Sequence, residues 1–146
     1  MVCLGNICRS PLAEGIMRQK IADAGLDWSV DSAGTGAWHV GNPPDPRSVA
    51  VARAHGLDIS HQRARQFLAR DFDAFDHIFV MDASNYQNVL KLARNDADRA
   101  KVEMMMNYDR PGYNEQVPDP YWDDNGFENV YQMLERATEK AVAQLR

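Results

Sequence analysis

Cysteine is scarce in this chain: only Cys3 and Cys8 occur in 146 residues, too few for the disulfide framework that holds small secreted domains together. No apolar run approaches the ~20 residues of a membrane span, and the start of the chain is too polar for a secretory leader. The expectation is therefore a cytoplasmic protein without membrane attachment. Lys and Arg cluster nowhere, and with a formal charge of -5 the chain offers no basic surface of the kind nucleic acid requires. The histidines His39, His55, His61 and His77 stand apart without ligand spacing, and C-x2-C pairs are missing, which argues against a metal. Repeats and low-complexity stretches are absent too. What remains is an acidic chain of a length suited to one domain, residues 1–146, and of a size that can stand as a monomer.

Against these absences the opening residues are dense in chemistry. They read Met1-Val2-Cys3-Leu4-Gly5-Asn6-Ile7-Cys8-Arg9-Ser10, followed by Pro11. The stretch Leu4, Gly5, Asn6, Ile7 and Cys8 is long enough to curl its backbone N–H groups around a tetrahedral anion. Gly5 and Asn6 tolerate the positive-φ conformations such a curl needs. Pro11 suits a first helical position and Ser10 is a favoured cap, so a helix is expected to start beside Cys3. The free N–H groups and positive end of that helix, together with Arg9, stabilise both a phosphate and a Cys3 thiolate. The planar fork of Arg9 matches two phosphoryl oxygens, and the Ser10 hydroxyl can reach back to the sulfur and stabilise it as a leaving group. A bare C-x5-R-[ST] pattern arises by chance in roughly one chain in a hundred of this length. The internal Gly-Asn and the following Ser-Pro therefore carry the weight.

The rest of the chain alternates strand and helix signals. Leu12, Ala13, Ile16, Met17 and Ile21 recur at helical spacing from Pro11 to about Ala24, with Gly25 placed to end the element. Trp28 to Ala33 reads as a short strand, followed by a long loop rich in Gly and Pro. Arg47 to His55 and Phe67 to Phe72 read as helices. His77 to Met81 is an apolar run typical of a strand buried on both faces, and Asp82 can cap the helix carrying Tyr86, Val89, Leu90 and Leu92. Lys101 to Met105 is a candidate fourth strand, Asn107 to Asp124 a loop, and Phe127 to Leu145 an amphipathic helix. This order predicts an α/β fold: a three-layer sandwich with a central parallel sheet of about four strands and helices on both faces. Ligands in such sheets bind beyond the carboxyl ends of the strands, where Cys3 would sit. Only Met1 and Val2 precede Cys3, so the strand feeding the loop is either very short or continued in a longer natural chain.

Transfer of a phosphoryl group from an oxygen needs a proton for the leaving group, which a thiolate cannot supply. Aspartates abound, and Asp119 in Val117-Pro118-Asp119-Pro120-Tyr121-Trp122 is the best candidate, because two prolines stiffen the backbone around it and two aromatics follow. The same residue could instead merely cap a surface turn. Trp38, Tyr121 and Trp122, on the two long loops, could wall an aromatic slot too deep for phosphoserine to reach the sulfur, or could be ordinary packing aromatics. Cys8 is either filling or a redox guard that forms a reversible disulfide with Cys3.

The string V-C-L-G-N-I-C-R-S-P resembles the signature of the low-molecular-weight protein tyrosine phosphatases, and D-P-Y-x resembles that family's general-acid loop. Asp31-Ser32-Ala33-Gly34-Thr35 and Ile59-Ser60-His61-Gln62-Arg63-Ala64-Arg65-Gln66 resemble segments whose serine and histidine brace the loop asparagine, which here implies Asn6, Ser32 and His61. Val80-Met81-Asp82-Ala83-Ser84-Asn85 resembles the family's strand-to-helix junction, with Asp82 in a capping role. The resemblance implies phosphotyrosine hydrolysis through a phosphocysteine on Cys3, with Arg9 as clamp and Asp119 as acid and then base. It implies no cofactor, inorganic phosphate as product and a phosphotyrosine protein as partner, a tyrosine kinase being one such substrate. Trp122 stands where many relatives carry a second tyrosine, leaving Tyr121 as the phosphorylatable residue of that pair. Two other classes stay open. A thiol-dependent arsenate reductase of the same fold would need further cysteines, and none exists beyond Cys8. A non-catalytic anion-binding or redox-sensing module would need neither nucleophile nor acid.

Overall fold

The computed structural model describes residues 1–146, and at its centre is a strand of two residues. β1 (Val2–Cys3) pairs in parallel with β2 (Ala33–Gly34) on one side and β3 (Ile78–Val80) on the other, and β4 (Val102–Met104) continues beyond β3. The sheet order is β2-β1-β3-β4. The chain thus leaves β1 toward one neighbour and later returns on its other side, which makes the carboxyl end of β1 a topological switch point.

Side-chain alternation along these strands builds two cores. Cys3, Phe79 and Met81 face a cluster formed with α1 (Arg9–Asp23), α2 (Pro46–Ala54) and α6 (Phe127–Leu145), which contribute Leu12, Ile16, Ala52, Val130 and Leu134. Val2, Ile78, Val80 and Met104 face a second cluster that includes Phe72 of α3 (Asp71–Ala74) and Val89 of α4 (Ala83–Leu90). A short α5 (Asp96–Ala100) leads into β4. Helices therefore lie on both faces, as the alternation of signals predicts. None of them is long and apolar enough to cross a membrane.

Most helix ends follow from local chemistry. Asp45 caps α2 by accepting from the Arg47 N–H, Asp82 caps α4 through Asn85, and Asn95 caps α5 through Asp98. Gly25 and Gly56 end α1 and α2 with φ of 65° and 82°. The start of α1 differs from expectation. It begins at Arg9 rather than Pro11, its cap position is Cys8, and no side chain bonds there, because the Ser10 hydroxyl is engaged elsewhere.

The expected strand over 28–33 contracts to Ala33–Gly34, since a parallel partner can be no longer than the β1 backbone beside it. The helix expected over 67–72 starts only at Asp71; Phe67 is extended, its N–H donating to the Gly34 carbonyl. Two 3-10 turns, Met105–Tyr108 and Pro120–Trp122, interrupt the long C-terminal loop.

Gly34 is the close-approach point of this fold. A Cβ there would lie 2.8 Å from the Leu4 carbonyl oxygen and 3.1 Å from the Asn6 nitrogen, both backbone atoms that cannot swing aside. Gly34→Ala is expected to cost about 1–3 kcal/mol, read as a lower urea or thermal midpoint; an unchanged midpoint would show that the loop shifts freely.

Candidate active site

Between Cys3 at the end of β1 and Arg9 at the start of α1, the backbone N–H groups of Leu4, Gly5, Asn6, Ile7 and Cys8 donate to nothing in the protein. The uncapped first turn of α1 adds more free donors. A run of unpartnered N–H groups at a helix N-terminus is an anion cradle. The left-handed turn within it falls on Asn6, at φ 56°, and Gly5 does not share it. A Cβ at Gly5 would instead come 3.1 Å from the His39 ring, which would have to give by a few tenths of an ångström.

Buried side chains lock this curl. The Cys3 sulfur lies 3.0 Å from Ser10 Oγ, and Asn6 Nδ2 donates to Ser10 Oγ at 2.7 Å and to Ser32 Oγ at 3.0 Å. Since Ser10 accepts from Asn6, its own proton is left for the sulfur. Asn6 Oδ1 accepts from the backbone N–H of Arg65 at 3.0 Å, which fixes the orientation of the amide. Ser32 in turn donates to Glu14 Oε1 at 2.7 Å, and the other oxygen of Glu14 accepts from Arg18.

His61 is not part of this brace. In the turn after Ile59 the inward positions are Ile59 and Gln62, so His61 between them faces water, and its side chain bonds neither Asn6 nor Ser32. The Arg65 main chain takes the place expected for it. Gln62, buried, donates to the Pro11 carbonyl at 3.1 Å.

Arg9 joins this half of the site to the rest. Its side chain is 3% exposed; Nη1 donates to Asp82 Oδ2 at 2.7 Å and to the Val117 carbonyl at 3.0 Å, while Nη2 lies 3.9 Å from Asp119 Oδ2. A buried guanidinium requires such a counter-charge. Asp82 thus does more than cap α4, for its second oxygen aims Arg9. Of the two roles considered for Asp119 the cap is present, with Oδ1 accepting from the Tyr121 N–H at 3.1 Å, and the carboxylate also faces Arg9 through Oδ2, with the side chain 40% exposed.

Comparison with known proteins gives the family. The family model described as "Low molecular weight phosphotyrosine protein phosphatase" matches residues 1–146. The chain belongs to that family. A low molecular weight phosphotyrosine protein phosphatase of Schizosaccharomyces pombe is 45% identical over 137 residues, covering 91% of this chain and 86% of its own length. One from Streptomyces coelicolor is 43% identical over 150 residues, covering 99% and 91%. The crystal structure of the protein tyrosine phosphatase from Entamoeba histolytica, with Hepes in its active site, superposes with a TM-score of 0.92 at 36% identity, covering 99% of this chain and 93% of that one.

Within this phosphatase Trp38 and Trp122 are displayed rather than packed. Trp38 is 72% and Trp122 87% exposed; the Trp38 ring folds tightly over Gly36, and Tyr121 meets Trp122 edge to face at 4.8 Å. Cys8 is a buried free thiol, pushed up to about 12 by burial and then by the neighbouring Asp45 and Cys3. No three His, Cys, Asp or Glu side chains form a metal-holding group. Clefts of about 370 and 570 Å³ lie elsewhere and include none of Cys3, Arg9 or Asp119.

Glu14 and Arg65 were not legible as site residues. The available signal was an acidic residue on the buried stripe of α1, one turn after Ser10 and between Ala13 and Ile16. Because Cys8 is held as a neutral thiol, iodoacetate at about pH 7.5 should label the folded protein at Cys3, with Cys8 labelled only after unfolding. Equal labelling of both in the folded protein would contradict this assignment.

Proposed function

We propose that this phosphatase hydrolyses phosphotyrosine in protein substrates, tyrosine kinases included, through a cysteinyl-phosphate intermediate, acting in the cytoplasm as a monomeric single domain without a cofactor. One observation carries the reading: a loop of five unpartnered N–H groups is bounded by the Cys3 sulfur and by an Arg9 guanidinium whose Nη2 lies 3.9 Å from the Asp119 carboxylate. The N–H groups and Arg9 hold the phosphoryl oxygens, whose charge is spread over them in the transition state. The Cys3 thiolate attacks phosphorus as the bond to the aryl oxygen breaks, and Asp119 gives that oxygen its proton. Asp119, now a carboxylate, takes a proton from the water that attacks the phosphocysteine. The S–P bond breaks, inorganic phosphate leaves and the thiolate returns, stabilised by the Ser10 hydroxyl 3.0 Å away. Trp38, Tyr121 and Trp122 supply flat apolar surface for the substrate ring.

Cys8 serves the same site under oxidation. Peroxide converts the Cys3 thiolate to a sulfenic acid, and the Cys8 thiol then displaces water from it, leaving a Cys3–Cys8 disulfide. Mass analysis after peroxide should find that disulfide and its reversal by dithiothreitol; sulfonic acid alone would refute a protective role.

Hydrolysis of aryl phosphates in the presence of EDTA tests the mechanism. Cys3→Ser should be inactive, and Asp119→Ala should lose on the order of 10²–10⁴ in rate for poor leaving groups, with less loss for good ones. Full activity in Cys3→Ser would remove the covalent mechanism, and loss of turnover with EDTA would require a metal instead.

A further inference from the structure

Arg47, the second residue of α2, takes part in no step above, yet its side chain is held from several directions. Nε and Nη2 fork onto Asp45 Oδ1 and Oδ2 at 3.0 and 2.9 Å, and Nη1 donates to Asp124 Oδ1 at 2.6 Å. The guanidinium carbon lies 5.4 Å from the centre of the Tyr121 ring and 4.6 Å from that of Phe127. These partners fall into two groups. Asp45 belongs with the phosphate loop: its backbone N–H donates to the Ile7 carbonyl at 2.8 Å, and Ser48 one turn later donates to the Cys8 carbonyl at 3.2 Å. Tyr121 and Asp124 belong to the segment that carries Asp119.

The upstream end of that segment is fastened by Val117, which bonds Met81 through its N–H and Arg9 through its carbonyl. Downstream, Asp124 is 83% exposed and its carboxylate is held by Arg47. Asp119 sits between these two fastenings, held by its own cap to Tyr121.

We propose that Arg47 is a positioning residue that clamps the Asp119 segment against the phosphate loop, keeping the carboxyl group within reach of the leaving oxygen. The inference rests on the general-acid reading of Asp119. Fork and stack are used at once, which a lysine cannot reproduce.

The test is kcat/KM for p-nitrophenyl phosphate, a good leaving group, against phenyl phosphate, a poor one, with the thermal midpoint of each variant. Arg47→Met should lose about tenfold or more on phenyl phosphate but under about threefold on p-nitrophenyl phosphate, and Arg47→Lys should behave like it. The double variant Arg47→Met/Asp119→Ala should be no slower than Asp119→Ala alone. Asp124→Asn, at an exposed position that does not threaten the fold, should show the same bias at about two- to threefold, and it decides the matter if Arg47→Met does not fold. Equal losses on the two substrates, additivity in the double variant, or an unbiased Asp124→Asn would overturn the clamp while leaving Asp119 in place. An Asp119→Ala variant without leaving-group bias would remove the acid and the clamp together.

Discussion

From Leu4 to Cys8 the chain holds successive backbone N–H groups away from every acceptor in the protein, in a loop whose Asn6 and Cys8 are buried while Leu4 is exposed. Left to itself such a segment would relax, because a donor shielded from water and left unmet costs as much as a lost hydrogen bond. The neighbouring residues oppose that relaxation. Asn6 accepts a left-handed conformation and ties its amide to three partners, Gly34 lets the loop pass close to β2, and the Thr35 and Gly36 N–H groups occupy the Cys3 and Leu4 carbonyls. The loop is thus bonded through its acceptors and left open through its donors, an arrangement suited to an anion and to little else.

Arg9 imposes the second constraint. A guanidinium this well buried must be neutralised, and Asp82 does so from the carboxyl end of β3 while the Val117 carbonyl fills a further donor. Those two contacts fix where the returning chain crosses the carboxyl end of the sheet, and Asp119 two residues on inherits its position from them. The Ser32–Glu14–Arg18 chain does the same for the other flank, carrying the brace from the loop across α1 to the surface. Along both of these chains a buried polar group is answered by another whose own partner lies nearer to water.

Local signals made much of this legible. The Cys3–Arg9 spacing, the strand run at Ile78–Val80 and the periodicity of α6 each declare themselves within one element, and the resemblance of the Asp-Pro-Tyr segment points to Asp119, which the fold sets 3.9 Å from Arg9. What stayed hidden depends on which residue of a turn faces inward. His61 and Gln62 are adjacent and both polar, and only the packing of Ile59 decides that Gln62 is buried and His61 is not. Ser10 carries the composition of a cap, and its hydroxyl reaches back to Cys3 as expected, but it also accepts from Asn6, a partner that no helix-end rule anticipates. The contraction of β2 likewise follows from the length of another strand rather than from residues 28–33 themselves.

The placement of Cys3 and Val2 on opposite faces of one short strand bears on motion as well as on packing. The backbone under the phosphate loop is shared by both cores, so it cannot open without disturbing the two clusters together, and its hydrogen exchange should follow global unfolding rather than local fluctuation. Residues 118–124 have no such double anchorage; most of them are exposed. The two halves of the site thus rest on unequal anchorage: the Leu4–Cys8 loop on a strand shared by both cores, and the Asp119 segment on the polar contacts of Val117 and Asp124 at its two ends.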